Sequence, residues 1–208
     1  MKLKVCGMKL NTTEVAQLRP DYLGFIFWEN SARFFDGEIP ALPHHINKIG
    51  VFVDAEIETI LETVKKHRLQ GIQLHGHESP EYCIEISSAL TKINQKVDLI
   101  KVFSIKDDFD FDSLKPFENV CDFYLFDTKG KLPGGNGYMF DWSVLKKYPS
   151  TKPYFLSGGI GLQNLDEIQE FIKLPESKYC HAIDVNSRFE IEPGLKKIKD
   201  LKNFKEAL

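Results

Sequence analysis

The 208 residues, 42% hydrophobic and 12% aromatic, suffice for a sizeable core in one domain or two small ones. A formal net charge of −3 with dispersed lysines excludes the basic stripe of a nucleic-acid protein, and those lysines read as solvated helix surface. No apolar run approaches the ~20 residues of a membrane span and the amino terminus runs straight into a strand, so a cytoplasmic location is expected.

From the amino terminus, apolar β-rich runs fall at 3–5, 22–27, 49–53, 71–74, 99–103, 122–126, 153–156 and 182–185. Helical patterns lie between them at 13–19, 55–67, 80–90, 141–147, 164–172 and 193–204; the second aligns Ile57, Ile60, Leu61 and Val64. The links after the second and fifth strands are less clearly helical. Strand runs without strict alternation indicate burial on both faces, and strand–helix alternation calls for a parallel sheet. With no Pro/Gly/Ser linker, residues 1–208 are expected to form a single (β/α)8 TIM barrel domain, at about 26 residues per unit and smaller than the ~250 typical. The alternative, a doubly wound open sheet, lacks its fingerprints: no G-x-G-x-x-G follows the first strand and no G-x-x-x-x-G-K-[ST] occurs.

In a barrel the carboxyl ends of all strands converge on one face, where barrel enzymes place their chemistry. Tyr124-Leu125-Phe126-Asp127-Thr128 empties into a glycine-rich loop at 129–137, which makes Asp127 a candidate catalytic carboxylate. The first strand ends in Cys6-Gly7, the seventh in Ser157-Gly158-Gly159 and the eighth in Asn186-Ser187. The loops after strands seven and eight stand where barrels bind phosphate through backbone N–H groups and a helix amino terminus, so a phosphorylated small molecule is implied. Cys6, Cys83, Cys121 and Cys180 lack the short paired spacing of zinc ligands and give no disulfide framework. Three read as core thiols, whereas Cys6, at a strand end before glycine, is placed to face a pocket.

Taken in order, a set of motifs carries a resemblance: Lys4-Val5-Cys6-Gly7; Gly24-Phe25-Ile26-Phe27 with Ser31-Ala32-Arg33; Gly50-Val51-Phe52-Val53; Gln73-Leu74-His75-Gly76; and Phe126-Asp127. It continues through Gly134-Gly135-Asn136-Gly137 with Phe140-Asp141-Trp142, Ser157-Gly158-Gly159-Ile160 and Asp184-Val185-Asn186-Ser187. Over nearly its whole length the sequence resembles the phosphoribosylanthranilate isomerases of tryptophan biosynthesis. The resemblance implies an aldose–ketose isomerase that performs the Amadori rearrangement of N-(5-phosphoribosyl)anthranilate to 1-(2-carboxyphenylamino)-1-deoxyribulose 5-phosphate. No metal and no cofactor are expected, and the partner is the small-molecule substrate, with no nucleic acid or membrane, in a monomer or homodimer.

By the same resemblance Cys6 matches the general base, Asp127 the general acid and Arg33 the residue that meets the anthranilate carboxylate. Gly158, Gly159, Asn186 and Ser187 match the phosphate site. Gln73 and His75, ending strand four, either line the anthranilate pocket or are satisfied polar groups under the rim. A base role needs a thiol that loses its proton, which nearby positive charge favours; an acid role needs an aspartic acid that keeps its proton, which burial favours. Asp184 stays outside the catalytic set. His44, His45, His67, His77 and His181 show no functional arrangement.

Three departures from the family pattern stand out: Ala32 where proline is usual, Asn136 in place of a common threonine, and Arg188-Phe189 where a small residue, often glycine, follows the phosphate-site serine. The first is expected to loosen the strand-two loop, and the third bears on phosphate binding if the backbone there needs a conformation glycine reaches easily. Two rival readings are another sugar-phosphate barrel isomerase, such as the two-phosphate enzyme of the histidine pathway, and a barrel that binds a phosphorylated metabolite without turnover. The first would show a second phosphate loop, and strand one would end in aspartate rather than Cys6; the second would need neither Cys6 nor Asp127.

Overall fold

The computed structural model describes residues 1–93, 96–106, 108–128 and 141–208. The glycine-rich loop expected at 129–137, with Gly134, Gly135, Asn136, Gly137 and Phe140, lies outside the described residues. Eight parallel strands close into a barrel in chain order. They are β1 (Lys2–Val5), β2 (Tyr22–Ile26), β3 (Asn47–Phe52), β4 (Gly71–Leu74), β5 (Asp98–Ile105), β6 (Phe123–Thr128), β7 (Tyr154–Leu156) and β8 (Cys180–Val185). Closure comes from β1 against β8, with Lys2 opposite Ala182 and Val5 opposite Val185.

The strands are covered on both faces, which is why their sequences read as apolar without alternation. One parity, including Tyr22, Ile49, Ile100, Leu125 and Phe155, fills the barrel interior. The other, including Val5, Phe25, Phe52, Leu74, Phe126 and Ile183, packs under the outer helices. Those helices are α1 (Thr12–Gln17), α2 (Ile57–His67), α3 (Pro80–Lys92), α4 (Leu165–Lys173) and α5 (Ile198–Ala207). In α2, Ile60 and Val64 are buried one turn apart, and the helix stops at Arg68 in the left-handed region, φ 51°. α3 opens on Pro80, with the Ser79 hydroxyl accepting the Tyr82 N–H at 3.2 Å; a proline there loses nothing, because the first-turn N–H groups have no helical acceptor.

The two weak links are as read: no helix follows β2, and a 3-10 segment (Phe111–Phe117) follows β5. The helix expected at 141–147 is also 3-10, at Trp142–Lys147. A larger difference lies near the carboxyl end, where the helix expected at 193–204 begins only at Ile198. Before it, β9 (Glu190–Glu192) and β10 (Leu195–Lys196) form an antiparallel hairpin, with Gly194 at φ 87°. Pro193-Gly194 is a turn pair, and its geometry overrides the helical spacing of the apolar residues around it. The reading of lysines as solvated helix surface also needs correction. Lys4, Lys101 and Lys196 are buried, each against a carboxylate.

At the amino-terminal end of the barrel, His181 accepts through Nε2 from the Tyr22 hydroxyl (2.7 Å) and faces the Lys2 ammonium (3.3 Å). An ammonium can only donate, so this ring is neutral. Burial, aided by Lys2, lowers the His181 pKa from its ordinary 6.5 to about 4. Between those values the unfolded chain takes up a proton that the folded one refuses, so this group's contribution to stability is full above the unfolded value and is lost as pH falls towards about 4. Denaturant unfolding across that window should show stability dropping on acidification, with a shallower drop in His181→Gln.

Candidate active site

The carboxyl ends of the strands place Cys6, Gln73, His75, Asp127 and Asp184 around one mouth. Cys6 continues β1, its N–H donating to Val185 O at 2.9 Å. The next residue, Gly7, has φ 72°, and a Cβ there would lie 2.6 Å from Asn186 Oδ1 and 2.7 Å from Arg33 Cδ. Only glycine fits, and the same contacts show that the loops after β1, β2 and β8 meet at this point.

Beneath Cys6, the ammonium of Lys4 is fully buried and donates to Asp184 Oδ2 and Gln73 Oε1, both at 2.8 Å. Because β4 is not a neighbour of β1, the bond to Gln73 crosses the barrel interior. Two residues before Cys6 on the same face of the strand, Lys4 also acts on the thiol as a nearby cation. This one cation fixes the orientation of the groups beyond it. Gln73 Oε1 is the acceptor for Lys4, so the Gln73 amide nitrogen is the donor facing His75 Nδ1 at 3.1 Å. Nδ1 is then the unprotonated nitrogen of the neutral ring, and the proton sits on Nε2, which faces Asp127 Oδ2 at 3.6 Å. A polar path thus runs from the site of Cys6, through Lys4, Gln73 and His75, to Asp127.

The electrostatics of the two candidate catalytic groups differ. Burial pushes the Cys6 thiol above its ordinary range, with the nearby cations Lys4 and Lys196 pulling the other way. Asp127 keeps 28% of its side chain exposed, so burial, which would favour the acid role, is only partial. Asp184 is the interior carboxylate: burial raises its pKa, Lys4 opposes that, and its Oδ2 is committed to the Lys4 ion pair. Its place outside the catalytic set agrees with this structural bond.

Arg33 follows β2 and is not a simple surface ion pair. Its Nε lies 2.9 Å, and its Nη2 2.6 Å, from Glu190 Oε2, and Glu190 is almost fully buried. The guanidinium is held by a carboxylate from the β9–β10 hairpin. Ala32, where proline was expected, leaves no loose loop: the Ser31 hydroxyl accepts the Arg33 N–H at 3.1 Å, and the Phe35 N–H donates to Ile26 O at 2.8 Å.

On the loops of the last two barrel strands, Gly158 (φ 103°) and Gly159 (φ 69°) are both left-handed. A Cβ at Gly158 would lie 2.0 Å from Thr128 Oγ1, so this position excludes any side chain. One at Gly161 would meet Arg188 Cβ at 3.1 Å, which brings this loop against the one that follows Asn186 and Ser187. The carboxamide oxygen of Asn186 accepts from Lys196 at 2.8 Å, so its side chain is directed to the Cys6-Gly7 turn. Arg188 has no left-handed backbone and its side chain is exposed; Phe189 is buried against Phe204 of α5, ring centroids 5.0 Å apart. The Arg188-Phe189 departure therefore costs no backbone strain, and the phenylalanine anchors the loop.

Lys4, Glu190 and Lys196 went unrecognised in the sequence. For Lys4 a signal existed: it lies in β1, two residues before Cys6, hence on the same face. Cys83, Cys121 and Cys180 are buried core thiols, as read. Among the described residues no group of three or more His, Cys, Asp or Glu could hold a metal.

The Lys4–Asp184 pair gives a direct test. Lys4→Met should destabilise by about 3–5 kcal/mol, because it strands Asp184 in the interior, and the double variant Lys4→Met/Asp184→Leu should recover much of that loss in denaturant unfolding.

A family model for N-(5'phosphoribosyl)anthranilate (PRA) isomerase matches residues 3–207. The chain is 41% identical over 213 residues to the N-(5'-phosphoribosyl)anthranilate isomerase of Parabacteroides distasonis, covering 98% of this chain and 91% of the relative. It is 38% identical over 198 residues to that of Phocaeicola vulgatus, covering 94% and 92%. Among solved structures, phosphoribosyl anthranilate isomerase from Thermotoga maritima superposes with a TM-score of 0.81 at 26% identity, covering 100% of this chain and 98% of the other. A phosphoribosyl anthranilate isomerase in complex with reduced 1-(o-carboxyphenylamino)-1-deoxyribulose 5-phosphate gives 0.77 at 25% identity, with 100% and 97% covered.

Proposed function

The chain belongs to the N-(5'-phosphoribosyl)anthranilate isomerase family, and from that premise we propose how its own residues carry out the rearrangement of phosphoribosylanthranilate. The observation that carries the reading is the polar path joining the site of Cys6 to Asp127 beneath one mouth. A base and an acid are held by one frame of buried polar side chains, with Lys4 and its partner Asp184 on the Cys6 side and His75 on the Asp127 side.

Asp127 gives its proton to the furanose oxygen as the C1–O bond breaks, leaving an iminium between C1 and the anthranilate nitrogen. The iminium acidifies the C2 proton, which the thiolate of Cys6 removes; the electron pair of that C–H bond forms the C1–C2 enamine and neutralises the nitrogen. Protonation at C1 and loss of the hydroxyl proton at C2 then give the ketone. Substrate and product are isomers, so no external oxidant or reductant enters. The Nε2–H of His75 faces Asp127 Oδ2 at 3.6 Å, a dipole that favours the carboxylate left after proton transfer. Gln73 positions His75 from below.

Arg33 presents a planar fork suited to the anthranilate carboxylate, and Glu190 holds that fork in place from one edge. Gly158 and Gly159, with the backbone of Asn186 and Ser187, form the phosphate cradle at the meeting of the two loops. The reading takes residues 1–208 as one barrel that carries the whole site, acting in the cytoplasm. No helix among the described residues is long and apolar enough to cross a membrane.

Purified protein mixed with freshly generated phosphoribosylanthranilate should consume it faster than the spontaneous background, followed by loss of anthranilate-type fluorescence. Cys6→Ala and Asp127→Asn should each lower kcat by ~10²–10⁴ with smaller effects on KM. Arg33→Ala should raise KM at least as much as it lowers kcat. Folded wild-type protein without turnover would refute the reading, and Cys6→Ala with wild-type kcat would remove the thiol from the mechanism.

A further inference from the structure

The β9–β10 hairpin carries a buried cation to the base. Lys196, on β10, has its backbone clamped to the loop after β1: the Asn11 carboxamide donates to Lys196 O and accepts from Lys196 N, both at 2.9 Å. Its fully buried ammonium donates to Asn186 Oδ1 at 2.8 Å and Glu190 Oε1 at 2.7 Å. That same Asn186 oxygen touches the space where a Gly7 side chain would stand, so Lys196 reaches the Cys6-Gly7 turn through a single intervening amide.

The charges on the elements around Cys6 can be counted. From β1 comes Lys4 and from β8 Asp184, joined as a pair at 2.8 Å. From β9 comes Glu190 and from the loop after β2 Arg33, joined as a pair at 2.6 Å. Gly24 of β2, against the Cys6 sulfur, contributes no charge. Asp127 stands across the mouth beside the neutral ring of His75. Lys4 and Asp184 cancel, whereas Arg33 and Lys196 share the single carboxylate of Glu190, so that one positive charge is left over.

We propose that Lys196 is a positioning residue for the rearrangement: held by Asn11, Asn186 and Glu190, it supplies the counter-charge for the thiolate of Cys6. Glu190 has a double role in this arrangement. It neutralises Lys196 in part and aims Arg33, so the base and the substrate clamp share one carboxylate. Burial of the cation costs less when an anion forms beside it, which ties the ionised thiol to the packing of the hairpin.

The proposal rests on Cys6 being the base, yet its test needs no substrate. Thiolate absorbance is titrated in the ultraviolet for each protein and corrected by subtracting the same protein carrying Cys6→Ala. Lys196→Met removes the counter-charge and should move the Cys6 midpoint upward by about one pH unit, about tenfold less thiolate at fixed pH. Glu190→Gln removes the competing anion and should move it downward. A merely structural role would shift both variants the same way, or neither, and either result overturns the proposal. If Lys196→Met fails to fold, Glu190→Gln decides alone: a downward shift supports the counter-charge, and an unchanged or raised midpoint sinks it. Opposed shifts in a protein that does not turn over phosphoribosylanthranilate would count against the isomerase reading and leave the counter-charge standing.

Discussion

A lysine buried inside the barrel organises this molecule. The ammonium of Lys4 is buried away from solvent, so it depends on hydrogen-bond acceptors from the protein, and they come from β8 and from β4 across the interior. Satisfying that one charge fixes the Asp184 carboxylate, the orientation of the Gln73 amide and the protonated nitrogen of His75, and it sets a cation beside Cys6. An apolar residue at position 4 would suit the interior below it, where Tyr22, Leu125 and Phe155 pack, but it would leave the groups above without an orientation.

The site is accordingly built in two charged tiers. The lower is Lys4 with Asp184, wholly interior; the upper is Lys196 with Glu190, brought by the β9–β10 hairpin, from which Arg33 extends to the mouth. Cys6 lies at the junction of the two. The hairpin replaces what would otherwise be a simple loop between β8 and α5, and its clamp on Asn11 ties the last unit of the barrel to the first.

Much of the barrel was legible in the sequence because parallel strands covered on both faces leave uninterrupted apolar runs, and all eight were found within a few residues of their ends. The placement of Cys6 and Asp127 at strand ends beside the mouth was legible from the strand runs and the loops after them, whereas Arg33 was singled out only by the family resemblance. What stayed hidden was charge inside the fold. A lysine in the sequence carries no mark of burial, and Lys4 and Lys196 differ from the surface lysines only through partners 69 to 180 and 6 to 10 residues distant, respectively. The hairpin stayed hidden for a different reason: Leu195, Ile198 and Leu201 keep helical spacing across a turn, and periodicity alone does not register a backbone that reverses at Pro193-Gly194.

The ion pair that closes the barrel also sets the order in which the protein can be completed. Lys4 and Asp184 are 180 residues apart, so a chain emerging from the ribosome amino terminus first presents the lysine long before its carboxylate exists. Until β8 and the hairpin have been synthesised, Lys4 lacks its carboxylate and Lys196 does not yet exist, and the first strand has only one of its two flanking partners. The thiol at position 6 is made well before the groups on β8 and the hairpin that surround it. Chemical competence therefore waits for β8 and the hairpin, however early the thiol itself is made.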